Sequence, residues 1–586
     1  IKFISLFGEE NRETAQVLAQ TLDIQGSLEL AKGNPKAALD AWKRAFEIYQ
    51  DQGNLTNITQ NQINQAQALQ ILGRYNRAVN ILEQIAEYLD SQPNSAEKAI
   101  AFVSLGDVFR VIGNPDESQT NLENSSIQVN ENSEESQTHS ENSDSQDNEN
   151  PNWSQTYLKK GLEIAEKLNL PEVQAAALIS LGNLVQSQNR FNDPDLNEKA
   201  QNYYQQAAEV TTSQTTKIQA QLNQLNLSVT SKEWNTAKEL QANIREQLKE
   251  IPPNTTAIYS KLNLVQSLMC FAEARTEPSQ RQNFSPLLQS CLANLESFSN
   301  SEEQSFNPVS WLEIRTLTQE AIQDAQNLQN SRAQSYALGY LAATYQQTQD
   351  FAKAEKYTRV ALELESISSY EAGEITYLLQ WQLGRLQKAQ QKNQTEIDPT
   401  TAYQVAFQTL NSLRRDLLEI SSDVRYSFRD SIEPLYREYV DLLLKPEKPS
   451  LDNLKQARNV IEALQLAEIN DFFQDACTEA RPEEIDTIID TTTTPTTIIY
   501  PIILEDRLEV ILKLPGKDNF YHYRTQVRKQ EVDAALVDFR RSLANPVERS
   551  IESEIVYNWL IRPAEEILAE TQSTTLVFVL DGTLRK

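Results

Sequence analysis

The strongest constraint on the fold is a helical pattern that recurs at a fixed step of 40 residues. The first copy is LAQTLDIQGSLELAKGNPKAALDAWKRAFEIY, residues 18–49, which has apolar or small residues at helical spacing on both sides of KGNP. This arrangement predicts two antiparallel helices joined by a tight turn. Gly73 and Ala78 then take the places of Gly33 and Ala38, forty residues further on. A unit of this size cannot bury its apolar face alone, so the sequence predicts a stack of helical hairpins.

A long acidic segment interrupts the pattern. Gly182 takes the place of Gly106 at a step of 76 residues rather than 40, and the excess of 36 matches residues 116–151. Residues 116–150 contain ten Asp or Glu, no Lys or Arg, and very few apolar side chains. Such a segment buries too little surface to offset its ordering entropy. We therefore predict a disordered insert at 116–151, between the two helices of one repeat, with the second helix resuming at Trp153.

Further copies carry the pattern to about residue 390. Trp234 and Ala237 belong to a weak copy, whereas Phe351, Ala354 and Ala361 belong to a clear one. Because small residues, turns and aromatic residues recur together, residues 14–390 resemble the tetratricopeptide-repeat family. The resemblance implies a right-handed α-solenoid with a concave, peptide-binding groove. A step near 40, rather than the family's usual 34 or so, implies longer helices than its standard unit.

The composition changes twice after the repeats. From about 400 to 478, SDVRYSFRDSIEPLYREYVDLLLKP and LKQARNVIEALQLAEINDFFQDACTEA predict two long amphipathic helices without the repeat signature. Beyond them, RLEVILKLPG, NFYHYRTQV and TLVFVLDG predict strands, with a hairpin turn at PGKD and two helical patterns before the last strand. The predicted domains are a repeat superhelix at 1–395, a helical bridge at 396–478 and an α/β domain at 479–586.

The last apolar run constrains the α/β domain. Leu576 to Leu580 are continuously apolar, which predicts a strand buried on both faces. Such a strand needs neighbouring strands and covering helices, and little sequence precedes it to supply them. We therefore expect the α/β domain to be incomplete.

Four segments of this region resemble the start of a CHAT domain. They are LAEINDFFQDAC, TIIYPIILEDRLEVILKLPG, VYNWLIRPAEEIL and TLVFVLDGTLR, in that order, within about residues 400–586. CHAT domains are caspase-like and follow tetratricopeptide arrays in many cyanobacterial and other bacterial proteins. The resemblance implies a mostly α chain in which a tetratricopeptide-type solenoid precedes an incomplete, caspase-like α/β domain.

The same resemblance implies a mechanism for a complete protein. In a cysteine protease of this kind a thiolate attacks the scissile carbonyl, and backbone amides hold the oxyanion. The family's catalytic His and Cys follow the strand that TLVFVLDG represents. The expectation is therefore that this chain ends before them, and no catalytic residue is assigned within it.

The cysteines and histidines of the chain predict no metal site and no cofactor. They lack metal-ligand spacing, and no Gly-rich phosphate loop follows a strand. Cys477 is interpreted as a packed thiol, His522 as a surface imidazole on a strand and His139 as a solvated residue of the insert. Cys270 and Cys291 either pair across a helical hairpin, if the protein is exported, or are two buried thiols.

Charge narrows the choice of partners. The formal net charge is −29 and the isoelectric point is about 4.6, so the surface repels phosphate backbones and anionic lipids. No apolar run approaches the roughly 18–20 residues that span a bilayer. The chain lacks an initiator Met and a signal peptide, so it reads as a processed or truncated protein. Many relatives are exported, and otherwise a cytoplasmic location is expected; the sequence does not predict an oligomeric state.

The repeat register predicts which residues line the groove. If Gly26, Ala66, Gly106 and Gly182 are equivalent, then residues six and three before and one and four after each of them face the concave side. The candidate peptide-binding residues are Gln20, Asp23, Gln60, Gln67, Gln70, Asp107, Arg110, Asn183 and Gln186. They suit hydrogen bonding to an extended backbone, and they lack a basic clamp for a C-terminal carboxylate. The alternative is that these side chains only hydrate an unused surface.

Two functional interpretations follow from the sequence. In the first, the array recruits a partner or substrate and positions a CHAT-type cysteine protease. In the second, the chain is a non-catalytic protein-interaction scaffold. Both predict a protein or peptide in the groove, and they differ in whether a catalytic His and Cys follow the last strand.

Overall fold

The structure, a computed structural model, describes most of the chain. The described residues are 9–32, 34–72, 74–112, 152–189, 193–273, 285–288, 309–367, 373–391, 398–417, 432–473, 494–516, 519–543 and 551–585. The acidic insert predicted at 116–151 lies outside them, as do Cys291, Cys477 and His139.

The chain divides into two compact units. The first comprises residues 1–382 and 410–426, and the second comprises residues 383–409 and 427–586. The helices between residues 432 and 473 thus belong to the same unit as the C-terminal sheet. The sequence-based boundaries at residues 395 and 478 stay predictions.

Helical hairpins build the first unit, which is a helical repeat array. Proline starts several helices because a first-turn residue needs no backbone N–H donor; Pro35, Pro171 and Pro194 are examples. The helices are α1 Glu9–Ala31, α2 Pro35–Gln52, α3 Leu55–Ile71, α4 Tyr75–Asp90, α5 Ala96–Ile112, α6 Trp153–Lys167, α7 Pro171–Gln188, α8 Pro194–Val210, α9 Gln214–Thr230, α10 Trp234–Glu250, α11 Thr255–Glu273, α12 Trp311–Asn327, α13 Ser331–Gln347 and α14 Phe351–Ile367. Helices α15 Gly373–Gln390 and α16 Thr400–Leu417 contribute residues to both units.

The odd-numbered helices of the array lie side by side. Each helix packs against the next along the chain, and from α3 to α13 each odd-numbered helix also contacts the next odd-numbered one. A hydrogen bond from Asn61 on α3 to Asp23 on α1 extends the series to the first helix. We call the odd-numbered helices the inner helices and the surface that they form the inner surface. The even-numbered helices α2 to α14 are the outer helices.

Small residues allow the two helices of a hairpin to approach closely. A Cβ added at Gly106 on α5 would lie 2.8 Å from the backbone nitrogen of Leu158 on α6. A Cβ at Gly161 on α6 would in turn lie 3.0 Å from the backbone nitrogen of Val103 on α5. Both distances are shorter than a normal carbon contact, so each helix needs glycine where its partner's backbone passes. The repeating glycines of the sequence therefore have a packing cause.

A four-stranded sheet forms the centre of the second unit. Its strands are β1 Thr496–Ile503, β2 Leu508–Lys513, β3 Phe520–Thr525 and β4 Thr575–Phe578, in the order β3-β2-β1-β4. The pairs β1–β2 and β2–β3 are antiparallel, and β1–β4 is parallel, with Ile498 opposite Val577. The helices of this unit are α17 Glu433–Leu443, α18 Leu451–Phe473, α19 Lys529–Leu543, α20 Ile551–Leu560 and α21 Glu565–Glu570.

The two faces of the sheet pack against different helices. Ile499 and Val510 belong to a core that also contains Leu536 of α19 and Leu560 of α20. On the opposite face, the Tyr500 hydroxyl donates a hydrogen bond of 2.7 Å to Glu462 of α18. Strands β1 and β2 are consequently buried along their whole length.

The last strand departs from the sequence-based expectation. The apolar run predicts a strand buried on both faces, and β4 does form there, but Leu576, Val577 and Phe578 are each 40–42% exposed. The reason is position, because among the described strands β4 is an edge of the sheet and pairs with β1 alone. The helical pattern before it also breaks: α20 ends at Leu560, and a short 3-10 turn at residues 562–564 separates it from α21.

An ion pair fixes the segment that follows β4. Asp581 is fully buried, and its two carboxylate oxygens accept hydrogen bonds of 2.9 and 3.1 Å from the guanidinium of Arg437 on α17. Asp581 also accepts from the backbone N–H of Ile503, and Arg437 donates to the carbonyl oxygen of Ile503. One buried pair thus ties α17 to the carboxyl ends of β1 and β4.

Candidate peptide-binding surface

A column of polar side chains runs along the inner surface. Gly26, Gly106 and Gly182 each face the outer helix of their own hairpin, since an added Cβ would meet Trp42, Leu158 and Tyr204 respectively. In five successive inner helices, α3 to α11, the residue that follows the repeat position of Gly26 is polar. We call these residues the polar column: Gln67, Asp107, Asn183, Asn223 and Asn263.

Asn183 shows how the column is held in place. Its Oδ1 accepts a hydrogen bond of 2.9 Å from the Tyr204 hydroxyl of the paired outer helix α8. The same oxygen accepts a bond of 3.1 Å from Asn223 Nδ2 on the next inner helix, α9. One amide oxygen therefore joins its own hairpin to the following one, and two members of the column are in direct contact.

Asp23 makes the corresponding bridge in the first hairpin. Its carboxylate accepts a hydrogen bond of 2.6 Å from the Tyr49 hydroxyl on α2 and another of 2.6 Å from Asn61 Nδ2 on α3. Burial of the Tyr49 hydroxyl and its bond to this carboxylate raise the pKa of Tyr49. Asp23 was predicted to line a groove, and in the structure it ties two hairpins together.

Four further predicted residues also bond within the array. Gln70 donates to the carbonyl oxygen of Ser104 on the next inner helix at 3.4 Å. Gln186 donates to Asn197 on the paired outer helix at 3.3 Å. Arg110, which is buried, pairs with Asp107 at 3.0 Å one helical turn away.

The remaining three predicted residues are more open. Gln20 on α1 and Gln60 on α3 are exposed, and Gln67 on α3 is half-buried. Gln60 donates to Asn64 within its own helix. The structure thus brings the nine predicted residues onto the inner helices, but several of them contribute to hairpin-to-hairpin bonding rather than to an open lining.

The sequence register missed Asn61, Asn223 and Asn263. A further step of 40 from Gly182 falls on Leu222, so the residue after it, Asn223, and then Asn263 another 40 on, could have been found by continuing the count. Asn61 lies five residues before Ala66, outside the four positions considered. Its contact with Asp23 depends on how α1 and α3 are rotated, which the 40-residue step does not specify.

Side-chain amides give this surface its chemistry. An amide carries both donors and an acceptor, so it can pair with either group of a peptide backbone. Asn226, four residues after Leu222, accepts a hydrogen bond from Ser267 on α11, which continues the links between inner helices. Over the described ranges, no group of three or more His, Cys, Asp or Glu is placed to hold a metal ion.

The histidine and the cysteine that the structure describes, His522 and Cys270, both have bonding partners. His522 lies on β3 as predicted, but the prediction of a surface imidazole is wrong: the side chain is buried, and its Nε2 lies 2.7 Å from Glu509 on β2. Its partner Glu509 also accepts from Arg507 at 2.6 Å. Cys270 on α11 is buried and disulfide-bonded, so of the two alternatives for this residue the structure contains the disulfide.

None of the helices in the described parts of the chain combines the length and apolar character needed to cross a bilayer.

Comparison with known proteins gives only distant likenesses. No protein-family model matches the chain, and no curated protein matches it. A Rap protein complexed with competence and sporulation factor is 10% identical, with 71% of this chain and 99% of that chain covered and a TM-score of 0.30. A monomeric mutant of IFIT1 with Gppp-AAAA is 12% identical, with coverages of 80% and 95% and a TM-score of 0.36. A circular tandem repeat protein is 14% identical, with coverages of 78% and 99% and a TM-score of 0.20. Similarities with such low sequence identities and TM-scores support no inference about ligands.

Proposed function

We propose that the array is a protein-interaction scaffold whose polar column binds an extended polypeptide segment. The observation that carries the proposal is the hydrogen-bonded pair Asn183–Asn223, because it joins equivalent residues of successive repeats. Such pairing places polar groups at one position per repeat along the inner surface. A regular row of donors and acceptors matches a ligand that is itself regular, and an extended backbone is such a ligand.

The spacing of the helices supports the same ligand. Packed helices lie about 8–10 Å apart, and an extended chain advances about 3.3 Å per residue. About three residues of an extended ligand would therefore pass each inner helix. The net charge of −29 disfavours a nucleic acid in this position.

Preorganisation also favours binding at the column. Tyr204 and Asn223 fix the orientation of Asn183 before any ligand arrives. A group that is already oriented loses less entropy on binding than a freely rotating one. Gln67 is half-buried and Asn263 is exposed, so these two members of the column can reach a ligand from the surface.

Binding of a random pool of fluorescein-labelled dodecapeptides to the full chain tests this proposal. We expect the double substitution Gln67→Ala with Asn263→Ala to weaken binding about tenfold, since each lost hydrogen bond contributes about 0.5–1.5 kcal/mol. Gln84→Ala, an exposed glutamine on outer helix α4, is the matched control and should leave binding unchanged. Equal affinity of the wild type and the double variant would overturn the proposal.

We also infer that the second unit contains the N-terminal part of a CHAT-type domain, so that the array recruits substrate to a cysteine protease. The support is the order of the four matching segments, together with the parallel pair β1–β4. The resemblance assigns neither catalytic role within residues 1–586. The alternative is a scaffold without catalysis.

Hydrolysis assays test whether the 586-residue chain is itself an active protease, which neither interpretation predicts. We expect no turnover of fluorogenic peptides, because no Cys–His pair is assigned in this chain. Turnover that a thiol alkylator abolishes would contradict both the assignment and the scaffold alternative.

A further inference from the structure

A short segment of the chain itself lies on two of the inner helices. Residues 285–288, with the sequence SPLL, contain a 3-10 turn and contact α11 and α13. Gln266 on α11 donates a hydrogen bond of 3.2 Å from its Nε2 to the backbone carbonyl oxygen of Leu287. Gln266 follows Asn263, the last member of the polar column, by three residues, so both side chains lie on one side of α11. An inner-helix amide next to the column therefore already binds a peptide carbonyl.

Side chains of the segment make further contacts with the inner helices. The Ser285 hydroxyl donates a hydrogen bond of 2.6 Å to Oε1 of Gln382 on α15, and both residues are fully buried. Gly339 on α13 leaves room for Leu287, since an added Cβ there would lie 3.2 Å from Leu287 Cδ1. Leu287 and Leu288 belong to the apolar core that α11 and α13 share. The site thus accepts a hydroxyl and two leucine side chains as well as a carbonyl.

The burial of α13 differs from that of the preceding inner helices. All eight residues from 337 to 344 are buried, which is more than two turns, so no side of α13 is open there. On α7, Asn183 is half-buried, and Asn226 on α9 and Asn263 on α11 are exposed. The inner surface is therefore open along α7, α9 and α11 and closed at α13, where residues 285–288 lie.

We propose that residues 285–288 are a resident ligand of the inner surface and compete there with a partner polypeptide. This inference rests on the peptide-binding function proposed above, and it adds the ligand pattern and the regulation: a small hydroxyl residue, one further residue, then two leucines. A partner segment with this pattern offers the same carbonyl, hydroxyl and apolar groups, so each lost contact is replaced by an equal one. A tethered segment competes at an effective concentration of about 1 mM. Binding in trans is consequently weak while the resident segment is in place.

The probe for this site is the fluorescein-labelled octapeptide AASPLLAA, and its affinity for the full chain is measured by fluorescence anisotropy. We expect Leu287→Ala with Leu288→Ala to bind the probe at least about tenfold more tightly than the wild type, because the weakened resident competes less. Adding Gln266→Ala to this variant should weaken probe binding about fivefold, since the hydrogen bond to the ligand carbonyl is lost. The matched peptide AASPAAAA, without the leucines, should show no gain between the wild type and the variant.

A matched pair of substitutions controls for loosened packing. Leu82→Ala with Leu89→Ala truncates two buried leucines of outer helix α4, and it should leave the affinity for AASPLLAA unchanged. Equal affinity of the wild type and the Leu287/Leu288 variant would overturn the inference. A gain that the α4 control reproduces would do the same, since loosened packing would then explain it.

Hydrogen exchange of the wild type tests the competition without any substitution. The backbone N–H of Leu288 donates to the carbonyl oxygen of Ser285 at 3.0 Å, and that of Leu287 donates to the Ser285 hydroxyl at 3.3 Å. Saturation with the probe should speed exchange of these two amide hydrogens at least about tenfold, because a displaced segment loses both bonds. Unchanged exchange in the saturated protein would refute competition, since the probe would then bind elsewhere.

The dodecapeptide assay separates failure of this inference from failure of the proposed function. Suppose that Gln67→Ala with Asn263→Ala weakens binding of the dodecapeptide pool, but that AASPLLAA binds the wild type and the Leu287/Leu288 variant equally. The column then binds peptides, and residues 285–288 only contribute to packing, so this inference alone fails. If neither set of substitutions changes binding, the proposed function fails as well.

Discussion

Individual side chains on the inner helices act mainly as links between hairpins. Asp23 and Asn183 both accept hydrogen bonds from a tyrosine of their own hairpin and from an asparagine of the next one. The sequence register predicts that these two residues line a groove. It does not predict the bonding, because a hydrogen bond depends on helix rotation to within a fraction of a turn, and a count of residues does not fix that rotation.

Glu172 is a second kind of link, made by a carboxylate. It lies in the first turn of α7 and accepts four hydrogen bonds: from the hydroxyls of Thr211 and Thr212 and from the backbone N–H groups of Thr212 and Ser213, at 2.7–3.0 Å. Burial alone raises its pKa, but these bonds outweigh burial and leave the pKa of Glu172 below its usual value. The carboxylate thus holds the turn that precedes α9.

The lowered pKa of Glu172 predicts a pH-dependent contribution to stability. A depressed pKa in the folded state stabilises the fold above the unfolded value of about 4.3 and is lost as pH falls through the folded pKa. We expect Glu172→Gln to lower the free energy of unfolding by up to about 1 kcal/mol at pH 7, a modest value because the site is largely exposed. The difference from the wild type should vanish as the pH falls through the lowered pKa of Glu172. Urea titrations across this range measure it.

Glu198→Gln on the exposed side of α8 serves as the control for charge alone. A Glu172→Gln effect that is the same at every pH, or that the control reproduces, would contradict the assigned role.

Substitution of Gly106 tests the close packing of α5 against α6. Gly106→Ala puts a Cβ 2.8 Å from the backbone nitrogen of Leu158, and backbone cannot move aside as a side chain can. We expect a loss of about 1–2 kcal/mol in the free energy of unfolding, even though alanine favours helix more than glycine does. Gly339→Ala on α13 is the matched control, since its Cβ would meet only the side-chain ends of Leu379 and Leu287. A larger loss at Gly339 than at Gly106 would refute this explanation.

At the scale of elements, the sheet of the second unit is anchored by the pair Arg437–Asp581. The sequence predicts β2, β3 and β4, because β-branched and apolar runs are local signals, and the structure contains these strands. The exposure of β4 and the break near Pro563 were not predicted. Exposure depends on which strand is an edge, and the break on where the proline ring falls within a helical pattern, so neither follows from apolar periodicity.

Because Arg437 and Asp581 form a buried pair, we expect their substitutions to have non-additive effects on the free energy of unfolding. Arg437→Met leaves a fully buried carboxylate without its guanidinium, which costs about 3–5 kcal/mol in comparable buried pairs. We expect Arg437→Met combined with Asp581→Ala to be more stable than Arg437→Met alone, because the uncompensated charge is then gone. Chemical unfolding of the four proteins in the cycle measures the coupling. Additive losses would mean that the two side chains do not act as a pair.

At the scale of the whole molecule, the chain divides into two compact units. The first is the helical repeat array that the 40-residue step predicts, and this prediction succeeded because each hairpin repeats the same local packing demand. The helices at 432–473 show no composition shift toward the sheet, yet they belong to the same unit as the sheet. Contacts between residues distant in sequence produce this grouping, and no local sequence pattern indicates them.

The division into two compact units predicts two unfolding transitions. We expect calorimetry of the full chain to resolve two transitions, with Gly106→Ala lowering the midpoint of one and Arg437→Met lowering the midpoint of the other. Each variant then serves as the control for the other. A single transition that both substitutions shift equally would contradict this prediction.

The links between inner helices have a mechanical consequence. Asn61 to Asp23, Asn223 to Asn183 and Ser267 to Asn226 each connect one inner helix to the next. Elements joined in this way behave as springs in series: an extension along the row is divided among all of them, and each gives only a little. A polypeptide lying along the row could therefore tune the pitch of the whole stack by small, equal adjustments, without any single hairpin having to open.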